Sequence, residues 1–312
     1  MGKLYEALII GAGPAGITAG IYLARERIKT LLVEKMVAGG TPLNAERIEN
    51  YPGFPEAPSG RELMEKFLLH AKGVGLEIAE FEEVKRVGKE GDFFIVETGE
   101  ETYEASGIII ASGTTPLKLG IPGEEQYLGK GVSYCATCDG PFFKDRVVGV
   151  IGGGDSAFGE ALSLANLASR VYIIHRRDTF RAQRVLQERA LANEKIEFVL
   201  NKRPLEIKGD QFVREIVLED TKTGQRENLS VDGVFIYAGS RPDTLYLEDL
   251  VERDEAGFII TDEHLSTKTP GIFAAGDVRK KVLRQISTAV GDGALAAFSL
   301  HRYLIEGKHL KK

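Results

Sequence analysis

The sequence has too few cysteines for a disulfide-linked fold and no apolar run long enough for a membrane span. Its 312 residues include two cysteines and no tryptophan, and two cysteines cannot supply a disulfide framework for a chain of this size. No run approaches the ~18 consecutive apolar residues of a membrane span, so no membrane association is expected. The first residues lead straight into a strand-like segment without an apolar leader. This predicts no secretion signal and a cytoplasmic protein.

The charge balance excludes another class of partner. The formal net charge is −6 and no long basic run occurs, so nucleic acid is not expected as a partner. Hydrophobic residues make up 43% and charged residues 28% of the chain, which is typical of a globular protein. The length allows two domains.

The chain is rich instead in one kind of glycine turn. A strand-like segment at residues 8–10 leads into residues 11–16 (GAGPAG), a helical stretch from Ile17 to about Arg25, and a second strand at residues 30–33. This order predicts a βαβ dinucleotide-binding unit, in which the glycines let a pyrophosphate approach the helix N-terminus. Glu34, at the end of the second strand, can accept hydrogen bonds from ribose hydroxyls.

The same unit occurs a second time. A strand at residues 147–151 precedes residues 152–157 (GGGDSA), a helical stretch to about Ala168, and a strand at residues 171–174. One such pattern is weak evidence, because glycine turns are common. Two patterns, each with a strand before and a helix after, favour two nucleotide sites over two ordinary turns.

The repeat extends to whole modules. Residues 107–116 match residues 233–242, each a buried strand followed by a glycine and a proline, and residues 93–96 and 213–218 predict antiparallel meanders. Residues 246–312 are too few for a domain of their own. We therefore predict an α/β fold with two Rossmann-like, three-layer dinucleotide-binding domains, the second inserted in the first. The first spans 1–116 and 246–312, the second spans 117–245, and the crossings near Pro116 and Pro242 are candidate hinges.

The two units differ where the second strand ends. Glu34 follows Gly11 by 23 residues, and at the same distance from Gly152 a basic run begins. A carboxylate there favours a free ribose diol, whereas arginines accommodate a 2′-phosphate. A solvated basic surface is the alternative for this run. We assign FAD to the first domain and NADPH to the second, with the basic candidates His175, Arg176, Arg177 and Arg181.

The two cysteines, Cys135 and Cys138, lie three residues apart just before the second glycine turn. They are close enough for a small-loop disulfide. Structural zinc needs four ligands, and the chain has neither a second cysteine pair nor paired histidines, so no metal is predicted. Buried inert thiols are the other alternative, but two flanking nucleotide modules favour redox use.

Asp139 directly follows the second cysteine. A carboxyl group there can carry a proton during thiol–disulfide exchange, which needs a thiolate attacker and a protonated leaving group. It can equally open the turn before Gly140 and Pro141. Both roles stay open from the sequence.

Together these runs resemble the low-molecular-weight thioredoxin reductases. The resemblance is collinear over essentially the whole chain and rests on residues 11–16, 135–140 (CATCDG), 152–157, 175–178 (HRRD), 274–278 (AAGDV) and 284–286 (RQI). It implies FAD, NADPH, a homodimer, and thioredoxin or a similar small redox protein as partner. It also implies that Cys138 is nearer the flavin, that Cys135 attacks the partner, and that the domains rotate during turnover.

The candidate cofactor contacts follow from the motifs and this resemblance. For FAD they are Gly11, Gly13, Pro14, Ala15, Gly16, Glu34, Lys35, Gly39, Gly40, Thr41, Asn50, Gly113, Asp277, Arg284, Gln285 and Ile286. For NADPH they are Gly152, Gly154, Asp155, Ser156, Ala157, His175, Arg176, Arg177 and Arg181. The chain departs from the family at Thr41, where glutamine is usual, so the hydrogen bonding around the flavin ring is open there.

Three alternative interpretations share this fold but differ in function. The acceptor could be another small redox protein. A variant fed by ferredoxin or reduced flavin need not keep NADPH motifs, and this chain has them. A flavin-bound redox sensor without substantial turnover is the non-enzymatic alternative.

Overall fold

The computed structural model describes residues 2–309, in which helices and strands alternate as the sequence predicts. The strands are β1 Lys3–Ile10, β2 Thr30–Val33, β3 Glu77–Ala79, β4 Val84–Glu90, β5 Phe93–Thr98, β6 Thr102–Ile110, β7 Thr114–Pro116, β8 Val132–Ser133, β9 Val147–Gly152, β10 Arg170–His175, β11 Ile196–Leu200, β12 Lys202–Gly209, β13 Val213–Asp220, β14 Arg226–Ser230, β15 Gly233–Tyr237, β16 Ser240–Pro242 and β17 Ile272–Ala274. The helices are α1 Pro14–Arg25, α2 Gly60–Gly73, α3 Ala136–Asp139, α4 Asp155–Ala165, α5 Arg184–Leu191 and α6 Ile286–His309.

The described chain forms two compact units. The first unit contains residues 2–43, 47–115 and 241–309, and the second contains residues 44–46 and 116–240. The predicted fold class, with one doubly wound domain inserted in another, is confirmed. The chain changes unit at 115/116 and 240/241, against predicted boundaries at 116/117 and 245/246. No helix within the described residues is long and apolar enough to cross a membrane.

The first unit is built on a sheet of order β3-β2-β1-β6-β5-β4, with β17 also pairing with β6. Strands β3, β2, β1, β6 and β17 run parallel, and β4 and β5 form the predicted antiparallel meander. Residues 7–10 at the end of β1 are buried on both faces, as expected for a central parallel strand. Helices α1, α2 and α6 cover one face of this sheet.

Helix α1 begins three residues earlier than the sequence indicated. Pro14 occupies its first turn, a position where proline costs nothing because the first N–H groups have no intrahelical partner. The second-unit helix α4 ends at Ala165, three residues before the predicted end. Fraying of this size is usual at helix ends.

The second unit repeats the plan. Its parallel sheet has the order β11-β10-β9-β15-β8, and a separate antiparallel sheet has the order β12-β13-β14. One core lies between the parallel sheet and helices α3, α4 and α5, and another lies between the two sheets. This gives three layers, with residues 213–218 in the meander as predicted.

Parallel pairing places four chain segments at one edge of this sheet. Phe235 of β15 pairs with Ser133 at the end of β8, and Tyr237 at the end of β15 pairs with Gly152 at the end of β9. Strand β10, on the other side of β9, ends at His175. In open parallel sheets ligands bind beyond the carboxyl ends of the strands. We therefore expect the reactive and ligand-binding residues of the second unit at this edge.

The loop before β8 is anchored to the meander. Glu124 is 2% exposed, and its carboxylate accepts hydrogen bonds from the backbone N–H of Leu119 and Gly120 and from the Tyr134 hydroxyl, at 2.8, 2.7 and 2.6 Å. Tyr134 directly precedes Cys135. Gly123, with φ +86°, lies so close to β12 that a Cβ would stand 1.9 Å from the Ile207 carbonyl oxygen.

Gly123→Ala should therefore destabilise the second unit, whereas Gly120→Ala should cost only the strain of its own positive φ of +73°, because nothing lies within 4 Å of its Cβ position. We expect Gly123→Ala to lower the free energy of unfolding by about 1–3 kcal/mol more than Gly120→Ala. Thermal unfolding followed by circular dichroism measures both. Equal midpoints for the two variants would show that the loop does not depend on this close approach.

Candidate functional site

The two cysteines form a disulfide at the edge of the second-unit sheet. Cys135 and Cys138 are bonded through their Sγ atoms at 2.07 Å, with 5.3 Å between Cα atoms. Cys135 directly precedes the short helix α3, which contains Cys138. Cys135 is half-buried and Cys138 is exposed. The predicted disulfide is thus confirmed, and Cys138 is the more exposed of the two residues.

Strand β8 positions Cys135, which lies two residues after the end of that strand. The Cys135 N–H donates to the Ser133 Oγ at 3.0 Å, and the same hydroxyl donates to the Cys135 carbonyl oxygen at 3.2 Å. Ser133 is buried, so its hydroxyl needs both partners. The sequence did not identify Ser133, because a serine two residues before a cysteine carries no motif.

The start of α3 favours a thiolate on Cys135. The backbone N–H of Cys138 donates to the Cys135 Sγ at 3.2 Å. Hydrogen bonds to the charged form lower a thiol's pKa. When the disulfide opens, the same N–H can stabilise negative charge on Cys135.

Asp139 ends α3 and is half-buried. Its backbone N–H donates to the Cys135 carbonyl at 3.1 Å, and the segment Gly140–Phe143 continues from it as a 3-10 turn. The turn role therefore exists in the structure. A proton-carrying role for its carboxyl stays a prediction.

A second carboxyl group on α4 has an unusual pKa. Burial, and to a smaller extent the negative charge of Glu46, raises the pKa of Glu160 to about 7. No sequence motif marks this residue, since burial of one helical glutamate depends on tertiary packing. Glu160 is half-buried, so its charge is partly screened by solvent.

The second glycine turn has the geometry of a phosphate site. Gly152 has φ +157°, and a Cβ on it would meet the Tyr237 carbonyl oxygen at 2.6 Å and the Ala157 Cβ at 2.7 Å. A Cβ on Gly154, the N-cap of α4, would meet nothing within 4 Å. Ser156 is exposed in the first turn. The helix N-terminus is therefore open, which fits the approach of a pyrophosphate.

The basic run is tied to that turn. The backbone N–H of Arg181 donates to the Gly153 carbonyl oxygen at 2.8 Å. Asp155 accepts hydrogen bonds from the Gln183 backbone N–H and side-chain amide, both at 2.8 Å, so Asp155 holds the loop and Gln183 is a residue that sequence reasoning missed. A Cβ on Gly153 would meet the His175 ring at 2.4 Å.

The charges of the basic run are available to an anion. Arg176, Arg177 and Arg181 are exposed, and none forms an ion pair with another residue that the structure describes. Burial lowers the pKa of His175 and the three arginines lower it further, while a hydrogen bond with the Thr179 backbone acts in the opposite direction. The arginines thus supply the positive charge that a 2′-phosphate requires.

The first glycine turn repeats the tight approach. A Cβ on Gly16 would stand 1.9 Å from the Gly11 carbonyl oxygen, and a Cβ on Gly40 would stand 2.9 Å from the Gly13 Cα. Pro14 and Ala15 are buried beside them. Only glycine fits these positions, as the close helix–strand packing of a dinucleotide site requires.

Glu34 is positioned by backbone donors. Its carboxylate accepts the Ala12 N–H at 2.8 Å and the Met36 N–H at 3.0 Å. Each oxygen keeps a further lone pair for a ribose hydroxyl. A cavity of about 250 Å³ opens beside it. The lining includes Gly11, Glu34, Lys35, Ser112, Asp243 and Tyr246.

Several other predicted FAD contacts have definite partners. Lys35 forms an ion pair with Asp243 at 3.1 Å. The Asn50 amide donates to the Gln285 Oε1 at 3.0 Å, so two residues 235 positions apart meet.

Gly39 and Gly113 have φ of +135° and +65°. Thr41 is exposed at the start of the 3-10 segment Thr41–Asn44, and Ile286 begins α6.

Asp277 is the clearest sign of a missing partner. Its Oδ1 atom is buried and has no hydrogen-bond partner among the described residues. Burial raises its pKa, while Lys281 and Arg284 act in the opposite direction. The Arg284 guanidinium stacks 3.9 Å from the Phe258 ring centroid. A buried orphan oxygen needs a donor, and a hydroxyl of a bound cofactor fits it.

Nearby, α6 holds this segment through Asp292. Its Oδ2 accepts the Gly276 N–H at 3.0 Å, the Arg279 Nε at 2.9 Å and the Lys281 Nζ at 2.7 Å. Asp292 and Lys281 side chains are 12% and 7% exposed. Sequence reasoning missed this cluster, because an Asp sixteen residues from Gly276 carries no spacing signal.

No group of three or more metal-ligating side chains occurs within the part of the chain that the structure describes.

The raised pKa of Glu160 has a consequence for stability. The folded carboxyl titrates near pH 7 and the unfolded one near 4.5, so between these values the unfolded state releases its proton first and folding weakens as pH rises. Glu160→Gln should therefore gain stability over the parent by about 1–2 kcal/mol, after allowing for its exposure, between pH 5 and pH 8.

Thermal unfolding of parent and Glu160→Gln at pH 5 and pH 8 measures this gain. Glu188→Gln, at an exposed position on α5, is the control. A gain that is the same at both pH values would contradict the raised pKa.

Known proteins match this geometry and sequence over nearly their whole length. The family model for pyridine nucleotide-disulphide oxidoreductases matches residues 5–293. The thioredoxin reductase of Bacillus subtilis is 47% identical over 305 residues, 97% of this chain and 96% of that protein.

Solved structures agree. The thioredoxin reductase of Lactococcus lactis has a TM-score of 0.94 at 47% identity, covering 97% of this chain and 99% of that one. The thioredoxin reductase of T. acidophilum has a TM-score of 0.93 at 39% identity, with the same coverage. The resemblance drawn from the motifs is confirmed: the chain belongs to the pyridine nucleotide-disulphide oxidoreductase family, among the thioredoxin reductases.

Proposed function

We propose that this chain is an NADPH-dependent, FAD-containing thioredoxin reductase that passes electrons through the Cys135–Cys138 disulfide. The observation that carries this is the disulfide itself, which lies at the same sheet edge as a glycine turn with an arginine run that forms no ion pair among the described residues. The names of relatives at 47% identity support the same activity. They do not favour the alternative of a redox sensor without turnover.

The first unit has the residues to hold FAD. The glycines of residues 11–16 leave room for the pyrophosphate, Glu34 has lone pairs for ribose hydroxyls, and Asp277 offers a buried acceptor. Asn50 and Gln285 hold each other and keep that loop close to the start of α6. These assignments are ours, and the same holds for the other candidate FAD contacts.

The second unit has the residues to hold NADPH. The open N-terminus of α4 takes the pyrophosphate, and Arg176, Arg177 and Arg181 take the 2′-phosphate. Asp155 keeps the arginine loop against the glycine turn through Gln183. When bound, the two cofactors supply a hydride and pass its two electrons on to the disulfide.

The protein's own chemistry then takes place at sulfur. Two electrons and two protons convert the disulfide to two thiols. The bond opens with Cys135 leaving as a thiolate, because the Cys138 N–H stabilises it. Asp139 is the nearest carboxyl in sequence that can hold a proton for these steps. Cys135 next attacks a disulfide of the partner to form a mixed disulfide. Cys138 then attacks Cys135 and releases the reduced partner.

An exposed aromatic ring supports a protein as the acceptor. Phe142, on the 3-10 turn that follows Cys138, is 79% exposed. Single exposed apolar residues are ordinary, but one this large beside a reactive disulfide suits an apolar surface on thioredoxin or a similar small redox protein.

The homodimer is also part of the proposal. Helix α6 exposes Leu295, Phe298 and Ile305 along one side, and residues spaced by three or seven share a helix face. Tyr22 of α1 is 50% exposed, and α1 packs against α6. A second copy of this chain would bury this apolar face. We place the protein in the cytoplasm, where thioredoxin-linked thiols are kept reduced.

Exchanging single cysteines tests the pair and its direction. Cys138→Ser and Cys135→Ser should each leave reduction of bound flavin by NADPH intact and abolish thioredoxin reduction. If Cys135 is the attacking thiol, Cys138→Ser should trap a stable mixed disulfide with thioredoxin and Cys135→Ser should not. Non-reducing gel electrophoresis and mass spectrometry identify the adduct. Trapping by Cys135→Ser instead would reverse the direction, and surviving turnover in both would remove the pair from the reaction.

Removing two arginines tests the nucleotide assignment. The double substitution Arg176→Ala and Arg177→Ala should raise the KM for NADPH by about tenfold or more and change the KM for NADH little, since only NADPH carries the 2′-phosphate. The double variant Arg203→Ala and Arg214→Ala removes the same charge from the meander and controls for long-range attraction. Equal losses for both nucleotides would refute the 2′-phosphate site.

A further inference from the structure

We infer that Tyr237 is a positioning residue for the redox cysteines. Its phenol holds a backbone N–H inside the Cys135–Cys138 loop and so fixes the first turn of α3. The inference rests on the proposed use of this disulfide in electron transfer, and it adds a residue that neither the motifs nor the mechanism requires.

The hydrogen bond is placed where a helix cannot provide its own. Ala136 is the first residue of α3, and the first N–H groups of a helix have no intrahelical acceptor. Ala136 is 3% exposed, so water cannot readily replace a partner. Its N–H donates to the Tyr237 Oη at 2.9 Å. A buried N–H left without this acceptor would force the turn to rearrange.

Cys135 is thereby held from both sides. Ser133 binds its backbone from β8, and Tyr237 binds the next peptide from β15. These strands are neighbours, with Phe235 in register with Ser133. Two adjacent strands thus each contribute one hydroxyl to the cysteine loop. The positions of these two hydroxyls determine the geometry of the 3.2 Å hydrogen bond from the Cys138 N–H to the Cys135 Sγ.

The same tyrosine packs against the nucleotide turn. Tyr237 is in register with Gly152, and its carbonyl oxygen lies 2.6 Å from where a Cβ on Gly152 would stand. Its backbone therefore supports the glycine turn, while its side chain supports the disulfide. Tyr237 therefore connects the glycine turn to the disulfide loop within the second unit.

The phenol is suited to act as a neutral acceptor. Burial raises the pKa of the Tyr237 hydroxyl most, and the nearby carboxyl groups of Glu160 on α4 and Asp139 on α3 raise it further, while the hydrogen bond from the Ala136 N–H acts in the opposite direction. It therefore keeps its proton at physiological pH. An acceptor that stays uncharged adds no negative charge beside the thiolate that forms on Cys135.

Tyr237→Phe removes only the hydroxyl, and Tyr127→Phe is the matched control. The Tyr127 hydroxyl donates to the Gly209 carbonyl oxygen at 2.7 Å in the same unit, and among the described residues it bonds to no residue of the cysteine loop. The flavin-bound variants are reduced with dithiothreitol, freed of reductant and alkylated with iodoacetamide between pH 5 and pH 9. Mass spectrometry then gives the alkylation rates of Cys135 and Cys138 separately.

Tyr237→Phe should slow alkylation of Cys135 at pH 7 by about tenfold and shift its pH midpoint upward, since a loosened turn stabilises the thiolate less. Tyr127→Phe should match the parent. Thermal midpoints of both variants report their folding. Alkylation of Cys135 in Tyr237→Phe that equals the parent, or is faster, overturns the inference.

Ala136→Pro tests the same bond from the donor side. Proline is well accepted at the first position of a helix and has no N–H, so it removes the donor without leaving an unpaired backbone N–H, and the Tyr237 hydroxyl loses this partner. In this background Tyr237→Phe should have little further effect on Cys135 alkylation. Additive effects in the double variant would show that Tyr237 acts by another route.

These readouts are independent of NADPH and thioredoxin. Failure of the parent to turn over with thioredoxin would refute the proposed function. It would leave the alkylation comparison, and hence the role of Tyr237, to be decided separately.

Discussion

The parallel pairing of β15 with both β8 and β9 is the constraint on which the second unit depends. It brings the ends of β8, β9 and β15 to one edge, with Ser133 in register with Phe235 and Gly152 in register with Tyr237. The disulfide loop continues from the first, the nucleotide turn from the second, and the third touches both. A parallel sheet makes such convergence possible because all its carboxyl ends face the same way.

The sequence predicted the parts of this arrangement that are local. Residues 11–16 and 152–157 carry their own strand, turn and helix, and the spacing of Cys135 and Cys138 suffices for a disulfide. The meanders at residues 93–96 and 213–218 could be recognised from alternation alone. The inserted second module followed from the repeat, and the resemblance to the low-molecular-weight thioredoxin reductases followed from the motifs and their order.

The sequence could not predict residues whose roles arise from contacts between distant segments. Tyr237 lies 101 positions from Ala136, and Gln183 lies 28 from Asp155. Asp292 gathers Arg279 and Lys281 only because α6 folds back over them. Tyrosine, glutamine and aspartate are common at such places for many reasons. Their partners are set by strand register and helix packing, which no local pattern contains.

The central claim is that electrons from NADPH reach the Cys135–Cys138 disulfide within this chain. Anaerobic incubation of the flavin-bound protein with NADPH alone, followed by alkylation and mass spectrometry, tests it most directly. The account predicts that both cysteines become alkylated after NADPH and that neither does without it. A flavin that is reduced by NADPH while the disulfide stays intact would contradict the account.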